Sequence, residues 1–154
     1  VEFIASDLAR RLEAMPSRAH VVFTAHSLPE RIISAGDPYP DELRSTAEAV
    51  ATMVGLEEGS GWSIGWQSAG RTPEPWIGPD ILDVIDDLGS RHEHSGVIVS
   101  AVGFVADHLE VLYDLDIEAR ARAEAVGLAF DRTACVNDDS NVLKALAHRV
   151  IAAG

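Results

Sequence analysis

The sequence predicts an α/β fold, a Rossmann-like three-layer sandwich in which helices cover both faces of a four-stranded parallel sheet. Four short apolar segments, each typical of a strand, alternate along the chain with amphipathic segments typical of helices. Strands that alternate with helices form βαβ units, and such units build parallel sheets covered on both faces. The third apolar segment, "GVIVSAV" (96–102), is apolar on both faces, as expected for a strand inside such a sheet.

The first half of the chain carries three predicted helices and two predicted strands. Pro16 ends the first helix, because proline lacks the backbone N–H that would continue it. The segment "SLPE" (27–30) matches a capping box, with Pro29 just inside the start of a short helix. A turn at "DPYP" precedes an amphipathic helix that ends at Gly55. The predicted bounds are a helix over 2–15, a strand over 21–25, helices over 29–36 and 41–55, and a strand over 61–66.

The second half begins with a polar loop, "QSAGRTPEPWIGP" (67–79), and then continues the alternation of helices and strands. The side chain of Asn137 or Asp138 is expected to cap the final helix, because both residue types favour that position. The predicted bounds are a helix over 80–88, a strand over 96–102, a helix over 105–126, a strand over 128–134 and a final helix through Ala152.

Length and composition indicate one domain with no nucleic-acid partner. The chain has 154 residues, 47% of them hydrophobic, and we expect an N-terminal helix over about 1–15 and an α/β core over about 20–154. Its net charge of −13 disfavours binding to a phosphate backbone. No apolar run approaches the roughly 20 residues of a membrane-spanning helix. The single Cys135 permits no internal disulfide and fits a reducing cytoplasm.

Polar side chains follow three neighbouring strands of the predicted sheet, where each strand ends. His26 follows the first strand, Gln67 and Ser68 follow the second, and the segment 103–110 follows the third. Ligands of open parallel sheets bind beyond the carboxyl ends of the strands, so these residues mark a candidate site. A single histidine after a strand is more often structural than a ligand, but its polar and acidic neighbours favour a site.

An acidic row lies on the helix that follows the third strand. Glu110, Asp114 and Glu118 are four residues apart, with Asp107 one turn earlier, whereas Val111, Leu112 and Leu115 are expected to pack on other faces. Repulsion between such neighbours costs only a few tenths of a kcal/mol per pair, so a solvated acidic stripe is one interpretation. The other is a row of oxygen ligands for a metal cation. A one-residue π-bulge would align the row better, and such bulges occur frequently at functional sites.

The sequence lacks the motifs of several common alternatives. No G-x-G-x-x-G segment follows the first strand, no Walker loop is present, and no pair of cysteines is available for structural zinc. Ser27 lies beside His26 but has no nucleophile-elbow motif around it, which argues against a serine hydrolase.

Four segments in order resemble one family, and together they span nearly the whole chain after about residue 20. They are "TAHSLPERI", "GDPYPDEL", "WQSAGRTPEPWIGPDI" and "VGFVADHLEVLYDLDIE". They resemble ferrochelatase, most closely the coproporphyrin-type enzyme of Gram-positive bacteria, and the tail "R…N…ALA" agrees. The resemblance implies a chelatase-like version of the Rossmann-like fold. It covers only the C-terminal half of such an enzyme, so we expect the N-terminal domain of the family to be absent here.

The resemblance implies roles for the residues that match the motifs. His26 corresponds to a metal ligand and proton acceptor, and Glu110 to the carboxylate that faces it. Asp114 and Glu118 resemble an outer path that holds a divalent cation, such as Mg²⁺, and passes metal inward. Which of His26 and Glu110 takes the proton and which ligates iron stays open.

Two further residues are candidates for contact with the porphyrin. Trp76 resembles a tryptophan of the porphyrin cleft, although it can equally cover the core, and Ser68 lies at the same edge of the sheet. The implied reaction is insertion of the substrate Fe²⁺ into coproporphyrin III during heme biosynthesis, without an organic cofactor.

The resemblance also implies a monomeric full-length enzyme, whose isolated second half should be poorly active. Three alternatives remain: a protoporphyrin IX ferrochelatase, a homodimeric chelatase for another tetrapyrrole, and a domain that binds metal or tetrapyrrole without catalysis.

Overall fold

The computed structural model describes residues 1–153, and its four strands form the predicted parallel sheet. The strands are β1 (Ala19–His26), β2 (Trp62–Gln67), β3 (Gly96–Ser100) and β4 (Ala129–Arg132). Their order across the sheet is β2-β1-β3-β4, and every neighbouring pair is parallel. The carboxyl ends of all four strands therefore meet at one edge, with His26 of β1 directly opposite Gln67 of β2.

The helices alternate with the strands as predicted, and one of them is a π-helix. They are α1 (Glu2–Ala14), α2 (Glu30–Ser34), α3 (Tyr39–Val54), α4 (Ile81–Arg91), the π-helix (Val111–Ala119), α5 (Arg120–Ala125) and α6 (Ser140–Ala153). α3 ends where expected, because Gly55 adopts the left-handed conformation (φ 73°) that glycine tolerates best. Within residues 1–153, no helix is long and apolar enough to cross a membrane.

Two apolar clusters cover the two faces of the sheet, which confirms the three-layer sandwich. Val21 and Phe23 of β1 pack with α1 and α3 on one face. Val22, between them in the sequence, packs with α4 and the π-helix on the other face. This alternation follows from the two-residue period of a strand, and it explains why β1 and β3 are apolar on both sides.

The capping box predicted at Ser27 is wrong. The hydroxyl of Ser27 donates to the carbonyl of Ile77 at 2.7 Å, and α2 begins after Pro29 with no side-chain cap. Ser27 is buried, and the backbone of the next residue, Leu28, accepts from the N–H of Ile77 at 2.9 Å. The carbonyl of Ile77 therefore uses the hydroxyl that was expected at the helix end.

Two helix starts also differ from the predictions. The helix after β3 begins at Leu109 rather than at 105, because the preceding residues form a loop. The cap of α6 is Asp139, whose carboxylate accepts from the N–H groups of Asn141 and Val142 at 3.0 Å each. The side chain of Asn137 instead donates to the carboxylate of Asp107 at 2.9 Å.

α6 contributes little to either core cluster. None of its residues is buried, although four large apolar side chains lie along it. These are Leu143, Leu146, Val150 and Ile151, which are 46–77% exposed.

Candidate active site

His26 ends β1, and its side chain is partly exposed. Its Nδ1 lies 2.5 Å from the carbonyl oxygen of Ser27. A carbonyl oxygen only accepts, so Nδ1 carries the proton and the lone pair of the neutral ring is on Nε2. The hydroxyl of Tyr39 donates to the backbone carbonyl of His26 at 3.2 Å, which fixes the strand end from the other side. The structure thus presents a basic nitrogen, Nε2, at the edge of the sheet.

Glu110 faces His26, as the sequence predicts. Its Oε2 lies 3.8 Å from Nε2 of His26, and the two side chains are 53% and 34% exposed. This separation is longer than a hydrogen bond, so both groups remain available to a ligand.

The loop after β3 brings Glu110 to His26 by crossing close over β1. The N–H of Gly103 donates to the carbonyl of Thr24 at 3.1 Å. A Cβ at Gly103 would lie only 2.4 Å from the Cβ of Ala25, so any larger residue would push the loop away. The glycine in "VGFVADHLE" is therefore required by the close approach of two backbones.

The π-helix sorts its side chains into a buried row and an acidic row. Val111, Leu115 and Ala119 are four residues apart, and each is fully buried. In an α-helix such residues are offset by about 40° per step, whereas the i→i+5 hydrogen bonds of a π-helix place more residues in each turn. The acidic row of Glu110, Asp114 and Glu118 precedes the buried row by one residue, so it runs alongside it towards solvent. Leu112 lies outside the buried row and is 43% exposed, so the prediction that it packs is wrong.

Ser68 links the end of β2 to the acidic row. Its hydroxyl donates to the carboxylate of Asp114, and its backbone has a φ of 59°. Asp80 lies in the same region, where burial and then the negative charges of Asp83 and Asp114 raise its pKa, although the N–H of Leu82 opposes the shift. Burial is the largest cause of this shift, and the charge of Asp114 adds to it.

Buried polar side chains support this edge from below. The hydroxyl of Thr24 donates to Oε1 of Gln67 at 3.0 Å, and both residues are fully buried. Within the described residues, Nε2 of Gln67 has no hydrogen-bond partner. The backbone carbonyl of Gln67 accepts from the N–H of Ser27 at 2.7 Å, which joins the ends of β1 and β2.

Trp76 lies in the loop after β2 and is half-buried against Gly70. A Cβ at Gly70 would lie 2.4 Å from Cζ2 of Trp76, so the indole covers the space that glycine leaves. The indole N–H donates to the hydroxyl of Thr72 at 2.8 Å, and the backbone of Trp76 pairs with that of Pro29. Because Pro29 follows His26 by three residues, the loop that carries Trp76 is fixed beside the candidate site.

Arg132, which the sequence analysis did not select, holds two of the acidic residues. Its guanidinium binds Asp116 through two hydrogen bonds of 2.7 and 3.0 Å and binds Asp107 at 2.9 Å. Asp107 also accepts from the side chain of Asn137 at 2.9 Å. Asp107 therefore does not join the acidic row, contrary to expectation. The signal missed was the arginine at the carboxyl end of the fourth strand, the same kind of position as that of His26.

The pKa values of Asp107 and Arg132 are shifted in the directions that ion pairing favours. Burial raises the pKa of Asp107, but the hydrogen bond from Asn137 and the charge of Arg132 outweigh it, so the pKa is lowered. The hydrogen bonds to Asp116 raise the pKa of Arg132 despite its burial. Burial and the nearby charge of Asp107 raise the pKa of Cys135 to about 12, so this thiol is not a nucleophile.

Within residues 1–153, no three His, Cys, Asp or Glu side chains converge closely enough to form a metal centre. The edge of the sheet instead offers the facing pair of His26 and Glu110, and beside it the carboxylate of Asp114 with its hydroxyl partner Ser68. Glu118 extends the acidic row outward and is exposed.

The chain is similar in sequence to a family of known proteins. A model of the ferrochelatase family matches residues 1–153. The coproporphyrin III ferrochelatase of Geobacillus kaustophilus is 42% identical to the chain over 155 residues, which cover 98% of this chain and 48% of that enzyme. The coproporphyrin III ferrochelatase of Halalkalibacterium halodurans is 45% identical over 130 residues, which cover 84% of this chain and 41% of that enzyme.

A third relative, the coproporphyrin III ferrochelatase of Geobacillus thermodenitrificans, is 46% identical over 134 residues, which cover 87% of this chain and 42% of that enzyme. The chain thus spans about half the length of the curated relatives it matches. The match nevertheless extends over both the sheet and the edge that carries His26 and Glu110. The chain belongs to the ferrochelatase family.

Proposed function

We propose that this chain is the catalytic half of an enzyme that inserts Fe²⁺ into coproporphyrin III during heme biosynthesis. The observation that carries the proposal is the facing pair of His26 and Glu110, 3.8 Å apart at the carboxyl edge of the sheet. Two donor atoms that each lie about 2 Å from one first-row metal ion are separated by up to about 4 Å. The pair can therefore reach one cation, or the two N–H groups of a pyrrole ring system, without rearrangement.

His26 is proposed as the group that accepts a porphyrin proton or ligates iron through Nε2. The contact between Nδ1 and the carbonyl of Ser27 supports this role, because it leaves the lone pair on Nε2 and orients the ring. Insertion of iron releases two pyrrole protons, and a neutral imidazole can accept one of them near pH 7. Glu110 is proposed to accept the second proton or to balance the charge of the iron.

The acidic row is proposed as the route by which the metal approaches. Asp114 and Glu118 offer oxygen ligands on the outer side of Glu110, and these suit a hydrated divalent cation such as Fe²⁺ or Mg²⁺. Ser68 orients Asp114 by donating to its carboxylate. Stepwise exchange of water for carboxylate oxygens removes the hydration shell before the cation reaches the nitrogen of His26.

The porphyrin is proposed to bind between this chain and a further domain of the full-length enzyme, with Trp76 lining the cleft. The half-exposed His26 and Glu110 form one wall, and a flat macrocycle needs contacts on both faces. The exposed apolar side chains of α6 also fit a helix that further polypeptide covers. On this proposal the chain alone is poorly active, and the full-length enzyme is a cytoplasmic monomer.

The test is an insertion assay with coproporphyrin III and Fe²⁺ under anaerobic conditions, followed by the change in the porphyrin absorption bands. The assay uses the chain alone and the chain joined to the first half of the Geobacillus kaustophilus relative. We expect slow turnover by the chain alone and at least 100-fold faster turnover by the joined protein. His26→Ala and Glu110→Gln in the joined protein should each abolish turnover, whereas Glu48→Gln on α3 should not. Full activity of His26→Ala would refute the proposal.

The openness of the site favours one second candidate, a domain that binds metal or porphyrin without catalysis. The same assay separates the two functions, because a binding domain changes the spectrum once and stoichiometrically. Protoporphyrin IX as the substrate is tested in parallel, and the ratio of the two kcat/KM values decides between the porphyrins.

A further inference from the structure

Arg132 is placed to control the acidic row without belonging to it. The guanidinium is only 13% exposed and lies at the carboxyl end of β4. Its planar group binds both carboxylate oxygens of Asp116, within the π-helix, and also Asp107, in the loop before the helix. These two attachment points lie on either side of Glu110 and Asp114 in the sequence.

The loop before the π-helix has a second attachment to the same region. Asn137 donates to the carboxylate of Asp107 at 2.9 Å and accepts from its backbone N–H at 2.8 Å. The N–H of Asn137 donates to the carbonyl of Val105 at 2.8 Å. Glu110, by contrast, is exposed, and within the described residues its side chain makes no hydrogen bond and no ion pair other than the 3.8 Å approach to His26. Its position is therefore set by its backbone rather than by side-chain partners.

We propose that Arg132 is a positioning residue that holds residues 107–116 in the geometry needed for cation binding by Glu110 and Asp114. This inference rests on the proposed function, since it assigns the acidic row to a divalent cation. Arg132 also occupies the carboxylates of Asp107 and Asp116, and so it decides which acidic side chains remain free for the metal. The proposed role requires the two parallel hydrogen bonds from Arg132 to Asp116. Lysine carries the same charge, but its ammonium group cannot form this bidentate pair.

The sign of the change in cation affinity when Arg132 is removed tests the proposal. Electrostatics alone predicts a higher affinity, whereas the proposed positioning role predicts a lower one. Loss of a positive charge and release of two carboxylates would strengthen the attraction for a cation. Loss of a holding contact would weaken binding, because the carboxylates would no longer be in place. A variant such as R132M therefore separates a positioning role from a simple charge effect.

The experiment titrates the chain with Mn²⁺ and follows free Mn²⁺ by electron paramagnetic resonance. We expect Arg132→Met and Arg132→Lys each to weaken Mn²⁺ binding by at least tenfold. The matched control is Arg44→Met, which removes an arginine that binds Glu58 at 2.8 Å and lies on α3, on the face of the sheet opposite the π-helix. The control should bind Mn²⁺ as the unaltered chain does, and thermal unfolding should show that all three variants fold. Unchanged or tighter binding by Arg132→Met, or full affinity in Arg132→Lys, would overturn the proposal.

Amide hydrogen exchange gives a second measurement that does not depend on the metal. Arg132→Met should lose protection mainly over residues 105–117, whereas Arg44→Met should not. If the unaltered chain binds no Mn²⁺, the proposed cation path fails, and hydrogen exchange then decides on the holding role alone. Protection of 105–117 that is unchanged in Arg132→Met would refute that role.

Discussion

Acid should destabilise this protein through one buried histidine far from the candidate site. His20 lies at the start of β1, is 2% exposed, and its Nε2 is 2.9 Å from the hydroxyl of Ser63. Burial, followed by the charges of His94 and Arg91, lowers the pKa of His20 to about 4 from its ordinary 6.5, although a hydrogen bond from the imidazole to the backbone of Ser60 opposes the shift. The folded state therefore keeps His20 neutral where the unfolded chain would be protonated.

The sign and size of the effect follow from the two pKa values. Below pH 6.5 the unfolded state binds a proton that the folded state does not bind. The free energy of unfolding therefore decreases as the pH falls from about 6.5 to about 4, and below that pH His20 is protonated in both states. Between pH 7 and pH 5 this one group should lower the free energy of unfolding by about 2 kcal/mol. That amount is a large fraction of the stability of an ordinary domain.

The assay is urea unfolding at pH 7 and pH 5, followed by tryptophan fluorescence and circular dichroism. Other groups also titrate in this range, so the informative quantity is the difference between the unaltered chain and His20→Gln, which removes the titration but keeps a polar side chain near Ser63. We expect the loss between the two pH values to be about 2 kcal/mol smaller in His20→Gln. His148→Gln on α6 is the control, because His148 is exposed. An equal loss in His20→Gln and the unaltered chain would refute this reasoning.

Three further predictions follow from single contacts. Gly103→Ala should lower the free energy of unfolding by about 1–3 kcal/mol and lower the rate of metal insertion by the joined protein, because the added Cβ would clash with Ala25. A free energy of unfolding equal to that of the unaltered chain, measured in urea, would contradict this prediction. Ser68→Ala should weaken Mn²⁺ binding severalfold without a change in fold, since Asp114 loses its donor; unchanged affinity in the titration would contradict it. Cys135 should react with thiol reagents at pH 8 at least 100-fold more slowly than a free thiol, since burial raises its pKa to about 12; fast labelling of the folded chain would contradict this.

Much of the fold could be predicted from sequence because its determinants are local. The apolar run from Val21 to Ala25 and the run from Gly96 to Ser100 identify strands that are buried on both faces. In a parallel sheet, the residues that follow each strand all lie at the same carboxyl edge. The meeting of His26 with Glu110 follows from that rule and from the family resemblance.

The remaining details depend on partners distant in the sequence. Ser27 fits a helix cap locally, but its hydroxyl donates to the carbonyl of Ile77, fifty residues away. Asp107 has the spacing of an acidic row, but it is bound by Arg132 and Asn137, which lie 25 and 30 residues further along the chain. A local sequence pattern does not show which distant group will form a hydrogen bond with a given polar residue. The sequence can therefore identify a polar residue as a candidate without identifying its partner.

The π-helix has a consequence for how this segment can change over time. The buried row of Val111, Leu115 and Ala119 and the acidic row of Glu110, Asp114 and Glu118 repeat every four residues, side by side. Removal of one residue would let the backbone relax into an ordinary α-helix, in which each four-residue step rotates by about 40°. Both rows would turn by the same angle, so the core contacts and the carboxylates would be displaced together. The segment can therefore accept substitutions, whereas its length is fixed.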